Sequence, residues 1–486
     1  MMANESKKIF AQLTDALERI DRLEGIITRT EAERRQEREG YGKALAERDA
    51  RIAVLEAENR RLRDIIEKNS GNSGKPPSSD GYKKIANSRE KSGKPVGGQE
   101  GHKGHKPVLY DNPTEVIGHK GPCPHCGGEM VYGERYSAKQ AIDIEVKIHI
   151  VEHRAYRGKC LCCGRESESG SPLNDIITYG DNLKAVAALL YENCVSFSRT
   201  KEMLSELTGG AIDISEGTLA KWAADLSAGI SPAIDKIKDN LAVSAVLHKD
   251  ETGIRVNGGL QWLHVLSNDR NTLYTGDRKR GNEADKAVDI LPSYSGVLVH
   301  DHLKGLYDFS CKHAECNAHI LRYLKWAVER HKRKWAQELI VLLVTANNAV
   351  KYAKERGAPF ISGSETESFS NRYDKILDDG FKEFLDSEKQ NYNGDDMKLL
   401  RRLRLYKREH LRFLYDFSVP FDNNLAERDL RMIKAKMKIS GCFRGPSGPS
   451  VFAAIKSYTS TLRKNSLNVF SALKSAFAGN PLLSWG

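Results

Sequence analysis

The sequence predicts an α/β protein in which a long helical segment interrupts the sheet-forming domain and smaller modules precede it. Three observations support this prediction. Apolar residues take a period of two in the segments after residue 242, as in half-buried strands. Helical periodicity dominates residues 321–414, and apolar residues recur at heptad-compatible spacing over residues 7–68.

Length and charge limit the class of protein. The 486 residues exceed what one domain usually holds, and the 40% hydrophobic residues are enough for more than one core. The formal net charge of +11 suits a polyanion partner such as nucleic acid, although many basic proteins bind none. The N-terminal residues are polar and no apolar run approaches a membrane span, so we expect a cytoplasmic protein without signal peptide or membrane segment.

Shifts in composition divide the chain into seven predicted regions. Four precede the sheet: a coiled coil, a flexible basic linker, a zinc-ribbon domain and a helical domain, with bounds 1–68, 69–110, 111–172 and 173–238. The others are a catalytic core in two pieces, a helical insertion between them and a C-terminal helical region, with bounds 239–320, 415–445, 321–414 and 446–486. In the first region, Asn59 at a core position favours a dimer with two short coiled segments, and a solvated single helix is the alternative.

Two C-x-x-C pairs predict a structural Zn²⁺ site. They are Cys123 with Cys126 and Cys160 with Cys163, each pair close to a glycine. The stretch between them is rich in strand-forming residues, so we expect paired hairpins that bring four thiolates together. Cys162 is a bystander or an alternative ligand. Because the module has a thin core, zinc would supply much of its folding free energy.

Residues 181–228 are predicted to be helical throughout. Ser215 is the expected N-cap of the last helix in this region. The two short helices around the Gly-containing turn resemble a helix-turn-helix, whose second helix enters a DNA groove. A plain helical bundle is the alternative.

Two apolar strands are each predicted to stop at an aspartate, the first at Asp250 and the second at Asp301. A hairpin and a short helix lie between them, so the predicted order is strand, strand, strand, helix, strand. Aspartates at the ends of neighbouring strands can share one site, and Mg²⁺ prefers oxygen ligands. A turn or a helix cap explains either aspartate alone. Together, in this order, they resemble the ribonuclease-H-like fold of polynucleotidyl transferases, which needs a third acid from a later helix.

The segment "PFDNNLAERDLRMIKAK", residues 420–436, offers three acids for that role. Asp422 or the asparagine that follows it is expected to cap a helix. Glu427 lies four residues before Arg431 on one helix face, whereas Asp429 points elsewhere and is expected to be an ordinary surface acid. We therefore predict that Glu427 is the third carboxylate.

The same helix carries polar and basic side chains suited to DNA phosphates. We predict phosphate contacts for Asn424, Arg428, Arg431 and Lys434. A solvated charged face is the alternative explanation.

Cys316 and His319, with Cys311 and His313 nearby, suggest a second zinc site. Four ligands in so short a segment rarely close a tetrahedral site on one helix. We therefore expect packing and local hydrogen bonding there instead of a metal ion.

The chain resembles a bacterial DDE transposase of the insertion-sequence sixty-six family. The segments that carry the resemblance occur in order along nearly the whole chain: "NSGKPPSSD", "CPHCGG", "DETGIRV", "HDHLKGLY", "CNAHILR", "DNNLAERDLRMIK" and "SGCFRGPSGPSVFAAIKSYTSTLRKNSLNVFSAL". The resemblance implies a catalytic triad of Asp250, Asp301 and Glu427. It also implies double-stranded DNA partners, namely transposon ends and target, together with accessory transposition proteins and nucleoid association.

The fold analogy and two-metal logic imply two Mg²⁺ or Mn²⁺ ions at the triad, which activate the attacking oxygen and stabilise the leaving oxygen. Asp250 would bridge the ions, Asp301 would bind one and Glu427 the other. We expect a homo-oligomer through the coiled coil. A catalytically inactive DNA-binding regulator and a ribonuclease-H-like nuclease are the alternative functions.

Overall fold

The described part of the chain forms two compact units. The computed structural model describes residues 2–69, 71–73, 107–386 and 394–485. The units are residues 1–87 and residues 88–486. Almost all of the predicted basic linker lies outside the described residues. Within the ranges described, none of the helices combines the length and the apolar character that a bilayer span requires.

The first unit contains a single long helix, α1 (Met2–Glu67), of 66 residues. This confirms the predicted helical region, and the helix continues through its charged centre. Apolar side chains along it are exposed, for example Leu13 at 56%, Ile20 at 49% and Leu23 at 58%. Their pairing with a second helix in a coiled coil stays a prediction.

In the described part of the second unit, residues 107–180 have little regular structure. Their strands, β1 (Arg157–Lys159) and β2 (Glu166–Glu168), pair antiparallel. The expected hairpins over residues 141–156 are wrong, because these residues form no strand. The apolar side chains there lack a covering layer within the described part of the chain, as the 86% exposure of Ile144 and the 85% exposure of Ile150 indicate.

Four helices follow, the first three of which confirm the helical prediction for residues 181–228. They are α2 (Asp181–Glu192), α3 (Phe197–Leu207), α4 (Glu216–Gly229) and α5 (Ser231–Ala242). Ser215 caps α4, since its Oγ accepts the Thr218 N–H at 3.0 Å. The turn between α3 and α4 passes through Gly209 and Gly210 with φ of 60° and 82°, a conformation that glycine adopts without strain.

A five-stranded sheet forms the centre of the second unit. In chain order its elements are β3 (Val246–Val256), β4 (Gly259–Ser267), β5 (Thr272–Asp277), helix α6 (Asn282–Val288), β6 (Val297–His300) and β7 (Lys312–Glu315). Across the sheet the order is β5-β4-β3-β6-β7. The first three strands are antiparallel, whereas β6 and β7 run parallel to β3. The predicted order of strands and helix is confirmed.

The sequence predicts that β3 ends at Asp250. This prediction is wrong, because β3 continues to Val256. It forms a hairpin with β4 through Asn257 and Gly258, whose φ angles are 48° and 80°. Left-handed angles at both turn residues match the twist of a two-residue hairpin. Asp250 therefore lies within a strand, paired with Val265 of β4.

The helical insertion has a hydrophobic core of its own. Its helices are α7 (Asn317–His331), α8 (Lys334–Glu355), α9 (Gly363–Leu385), α10 (Asp395–Leu405) and α11 (Lys407–Tyr415). Buried side chains from all five helices contribute to this core, including Leu324, Leu339, Tyr373, Leu400 and Leu411. These helices occupy the residues predicted to be helical, whereas the bounds of the insertion as a separate region stay a prediction.

The last helices are α12 (Asn424–Ser440), α13 (Gly448–Lys464) and α14 (Val469–Phe477). They share one hydrophobic core with the sheet and with α2, α4 and α5. Ile237 of α5, Ile254 of β3, Ile433 of α12 and Phe452 of α13 are all 0 to 1% exposed in it. The predicted boundaries at 238 and 445 therefore fall inside one packed core.

Helix α13 also closes the outer edge of the sheet at β5. The Tyr274 N–H donates to Ser457 Oγ at 2.8 Å, and the Thr272 N–H donates to Thr461 Oγ1 at 3.1 Å. These bonds satisfy backbone groups that an edge strand otherwise leaves unpaired.

Candidate active site

The two aspartates selected from the sequence lie where the parallel strand pair ends. In the register of β3 with β6, His248 is the partner of Val299. Asp250 and Asp301 each follow two residues later, so the same register aligns them at one end of the pair. Asp301 directly follows β6, as predicted.

Asn423 ties the start of α12 to β3. Its side-chain NH₂ donates to the Lys249 carbonyl oxygen at 2.8 Å, and its side-chain oxygen lies 2.8 Å from His248 Nδ1. Asn423 is 1% exposed, so these bonds are shielded from water. They hold the first turn of α12, and with it Glu427, against the strand that carries Asp250. The local sequence predicts only a capping role for Asn423, because its buried partners lie far away in the chain.

The three carboxylates influence one another electrostatically. Burial raises the pKa of the Asp250 carboxyl to about 7, and the charge of Asp301 acts in the same direction. Glu427 raises this pKa as well, whereas Lys434 lowers it. Burial also raises the pKa of Glu427, and the charges of Asp422 and Asp301 add to that effect. A cation among the three carboxylates would relieve this repulsion.

Asp250→Asn is expected to stabilise the protein in buffer free of Mg²⁺ and Mn²⁺ by about 1–3 kcal/mol at pH 8. The folded state holds the Asp250 proton up to a pKa of about 7, above the ordinary value of 3.8. The stability contribution of the protonated carboxyl is therefore present at low pH and lost as the pH rises through 7. Urea unfolding followed by fluorescence should show a gap between variant and parent that widens from pH 5 to pH 7 and is constant above. A gap independent of pH would contradict this account.

A cysteine and a histidine at the start of α7 lie beside Glu427. Within the described residues, Cys316, His319 and Glu427 are the one group of three candidate ligands whose atoms all lie within 4.8 Å. Cys316 Sγ accepts the Asn423 N–H at 3.2 Å, a bond between residues 107 positions apart instead of the local hydrogen bonding that was expected. His319 Nδ1 lies 3.8 Å from Glu427 Oε1. Burial lowers the pKa of His319 to about 4, and the charge of Arg322 acts in the same direction.

The predicted phosphate-binding side chains are all exposed on α12. They are Asn424, Arg428, Arg431 and Lys434. Lys434 lies close enough to the carboxylates to lower the pKa of both Asp250 and Glu427. The basic surface of α12 therefore borders the carboxylates, and its contact with DNA stays a prediction.

The other two acids of the segment have structural roles. Asp422 Oδ1 accepts the Asn424 N–H at 3.1 Å at the start of α12, but the N-cap position is Asn423, whose side chain does not cap the helix. The expectation that Asp429 is an ordinary surface acid is wrong. Its Oδ2 lies 2.9 Å from Lys464 Nζ of α13, and the two side chains are only 11% and 14% exposed. The partner is 35 residues away, beyond the reach of a helix-periodicity argument.

The opposite face of β3 carries a buried ionic cluster. Lys249 Nζ lies 3.0 Å from Asp285 Oδ1 of α6 and 2.8 Å from His264 Nδ1 of β4. The side chains of Lys249 and Asp285 are 3% and 5% exposed. A buried pair of this kind costs several kcal/mol to break, so it fixes the strand segment next to Asp250.

A second buried acid, Glu315 at the end of β7, connects the loop after Asp301 to the insertion. Its Oε1 lies 2.5 Å from His302 Nδ1 and accepts the Tyr307 hydroxyl at 2.6 Å. Its Oε2 accepts Nε–H of Arg402 at 3.1 Å and lies 3.1 Å from His410 Nε2. Burial opposes ionisation, but hydrogen bonds from His302 and His410 hold the pKa of Glu315 well below its usual range. No local pattern in the sequence marks Glu315 as the centre of this cluster, because Arg402 and His410 lie 87 and 95 residues away.

Both C-x-x-C pairs fold into the same backbone knuckle. In each, the first cysteine donates its N–H to the residue five positions later and accepts the N–H of the residue four positions later. These bonds of 2.8 to 2.9 Å join Cys123 to Gly128 and Gly127, and Cys160 to Arg165 and Gly164. Hydrogen bonds from the knuckle backbone lower the pKa of the Cys123 and Cys160 thiols, which favours the metal-binding thiolate. The four sulfurs do not all lie within 4.8 Å of one another here, and a shared zinc site stays a prediction.

Zinc content tests that site directly. We expect about one Zn²⁺ per folded chain, and a loss of most of it in Cys126→Ser because three thiolates bind far more weakly than four. Cys162→Ser is the matched control, since it removes a neighbouring cysteine outside the predicted ligand set. Elemental analysis of purified protein would measure both. Zinc-free folded parent protein, or unchanged zinc in Cys126→Ser, would overturn the assignment.

Comparison with known families identifies the class of protein. A family described as "Transposase IS66 family" matches residues 177–450, more than half of the chain and the part that contains the sheet, the insertion and α12. The chain is therefore a DNA-acting enzyme of the transposase class. It belongs to the IS66 family of transposases. A family of unknown function (DUF6444) matches residues 3–107, and no curated protein matches the chain.

Proposed function

We propose that this transposase cleaves the ends of its element and joins them to target DNA, with Asp250, Asp301 and Glu427 as its catalytic carboxylates. One observation carries the proposal: the β3–β6 register pairs His248 with Val299, and Asp250 and Asp301 each follow two residues later. Asn423 then holds α12 and Glu427 against the same strand. The family match supports DNA as the substrate class of the proposed carboxylate site.

The sheet supports a ribonuclease-H-like catalytic core. Three antiparallel strands are followed by a helix and by two strands parallel to the first, and the order across the sheet is β5-β4-β3-β6-β7. The sequence predicts the ribonuclease-H-like fold from the same order of three strands, a helix and a further strand. A helix after the insertion then supplies the third acid, as the fold requires.

The site fits divalent cations. Burial and the charges of Asp301 and Glu427 raise the pKa of Asp250, and among the described residues no group hydrogen-bonds to the buried Glu427 Oε1. Asp250, Asp301 and Glu427 would hold the ions. Two divalent ions, when bound, activate the attacking oxygen and stabilise charge on the leaving oxygen. Carboxylate oxygens suit Mg²⁺ or Mn²⁺.

The protein's own residues bind and orient the DNA strand. The exposed Asn424, Arg431 and Lys434 would contact phosphates on either side of the scissile bond. In end cleavage, water oxygen bonds to phosphorus, the P–O3′ bond breaks, and the 3′-oxygen leaves as a hydroxyl. In strand transfer that 3′-hydroxyl bonds to a target phosphorus, and the target's own 3′-oxygen leaves with the proton.

The substrate test incubates purified full-length protein and Mg²⁺ or Mn²⁺ with each of three nucleic-acid substrates. We expect cleavage and joining of DNA that carries the ends of the element, and little cutting of RNA–DNA hybrid or branched DNA. Preferred cutting of hybrid or branched substrates would favour the nuclease alternative. Salt-sensitive binding of element ends without metal-dependent cutting would favour an inactive regulator.

The remaining parts of the proposal concern assembly and location. The exposed apolar stripe of α1 supports a homo-oligomer that pairs through a coiled coil. Two protomers would hold two element ends together, with accessory transposition proteins as further partners. We place the protein in the bacterial cytoplasm, on the nucleoid when it is bound to DNA.

A further inference from the structure

We propose that His319 is a nitrogen ligand of the divalent ion that Glu427 holds, and that this position therefore favours Mn²⁺ over Mg²⁺. The inference rests on the proposed catalytic role of Glu427. It adds a ligand that the carboxylate triad does not include and a metal preference that three carboxylates alone would not impose.

The two side chains face each other without a hydrogen bond. His319 Nδ1 and Glu427 Oε1 are 3.8 Å apart, beyond hydrogen-bond distance. Both atoms are buried, and among the described residues neither has a hydrogen-bond partner. Buried polar atoms are nearly always satisfied, so a pair of unsatisfied atoms aimed at each other requires a third group between them.

The separation suits two ligands of one ion. Ligand atoms at about 2.1 Å from a common ion are at most about 4.2 Å apart. The 3.8 Å between His319 Nδ1 and Glu427 Oε1 lies within that limit. Arg322 does not fill the same role, because its guanidinium nitrogen is 3.9 Å from Glu427 Oε1 and forms only a long ion pair.

Cys316, the third member of the group, is not a ligand in this proposal. Its Sγ accepts the Asn423 N–H that fixes the start of α12. The ligand pair is therefore one imidazole nitrogen and one carboxylate oxygen.

An imidazole ligand changes which ion the position selects. Mg²⁺ takes oxygen ligands almost exclusively, whereas first-row transition ions accept imidazole nitrogen readily. A position with one nitrogen and one oxygen donor should therefore bind Mn²⁺ more tightly than Mg²⁺. Removal of the imidazole should weaken Mn²⁺ binding while Mg²⁺ binding changes little.

The experiment uses full-length protein with zinc supplied during expression and Mn²⁺ as the probe. Electron spin-echo envelope modulation detects nitrogen bonded directly to Mn²⁺, independently of catalysis. We expect ¹⁴N modulation in the parent protein and a changed pattern when histidine is labelled with ¹⁵N. His319→Ala and His319→Gln should lose it, whereas the matched control His149→Ala, at an exposed position, should keep it. Calorimetry should show at least about tenfold weaker Mn²⁺ binding in both His319 variants and less than about threefold change for Mg²⁺.

The outcomes separate this inference from the proposed function. Nitrogen modulation that persists in both His319 variants, or that is absent from the parent, overturns the ligand assignment. Equal weakening of Mn²⁺ and Mg²⁺ overturns the proposed preference. Glu427→Gln is the further control. If this variant binds Mn²⁺ like the parent protein, the proposed carboxylate site is wrong. If the variant loses Mn²⁺ binding and the parent protein shows no nitrogen modulation, only the role of His319 is overturned. Thermal unfolding of both variants shows whether they are folded.

Discussion

Asp301→Asn is expected to lower cleavage of element ends by about 10³-fold or more while the affinity for end DNA changes less than about threefold. The substitution removes one carboxylate charge from the end of β6 without changing side-chain size. Metal-assisted stabilisation of the leaving oxygen contributes several kcal/mol, and about 4 kcal/mol corresponds to the expected loss. DNA affinity depends mainly on phosphate contacts elsewhere, so it should be nearly unchanged.

Single-turnover cleavage and strand-transfer assays with Mg²⁺ and with Mn²⁺ would measure the effect. Asp225→Asn is a matched control, because Asp225 lies on α4 with a 55% exposed side chain in an ordinary surface pair with Lys221. It should cleave like the parent. An Asp301→Asn protein that cleaves and joins DNA as well as the parent would show that the triad assignment is wrong.

Glu315→Ala is expected to lower the free energy of unfolding by about 3–5 kcal/mol at pH 7, because it leaves buried cationic and polar groups without their shared acceptor. Glu315 is 1% exposed and connects β7, the loop after Asp301 and the last two helices of the insertion. The pKa of Glu315 is depressed in the folded state, so its contribution is present above its ordinary value of 4.5 and is lost as the pH falls below it.

Denaturant unfolding at pH 7 would measure this effect. Glu283→Ala is the control, because the Lys279–Glu283 ion pair is 71% and 72% exposed and such pairs contribute at most about 1 kcal/mol. Glu315→Gln should lie between the two, since an amide keeps part of the hydrogen bonding. A loss for Glu315→Ala no larger than that for Glu283→Ala would mean that the buried cluster does not stabilise the fold.

Local patterns predict much of this fold. Capping and periodicity are properties of neighbouring residues, and so the helices, the cap at Ser215 and the strand before Asp301 are visible in the sequence. The error at Asp250 was avoidable, since the Asn257–Gly258 pair is a strong hairpin signal and indicates that the strand continues. The strand-like pattern over residues 141–156 gave a wrong prediction of hairpins. Alternating apolar residues form a strand only where a partner strand and a covering layer exist.

The rest of the site depends on contacts that no local pattern contains. His319 and Glu427 lie on helices separated by most of the insertion. Glu315 meets Arg402, 87 residues later, and Asp429 meets Lys464 on a different helix. Periodicity assigns a residue to a face of its own helix, but it does not identify what packs against that face. The function of these residues becomes visible only when the elements are assembled.

The order of the elements along the chain sets when the enzyme becomes competent during translation. Asp250 and Asp301 leave the ribosome first, and at about 5–20 residues per second Glu427 follows roughly 6–25 s later. The residues of α13 that cover the backbone of β5 come later still. Under the proposed assignment, a chain interrupted within the insertion would hold two of the three proposed carboxylates and an open sheet edge, and we expect it not to cut DNA. Cleavage competence would therefore arise only after α12 is synthesised, and chains interrupted within the insertion are expected to aggregate through β5.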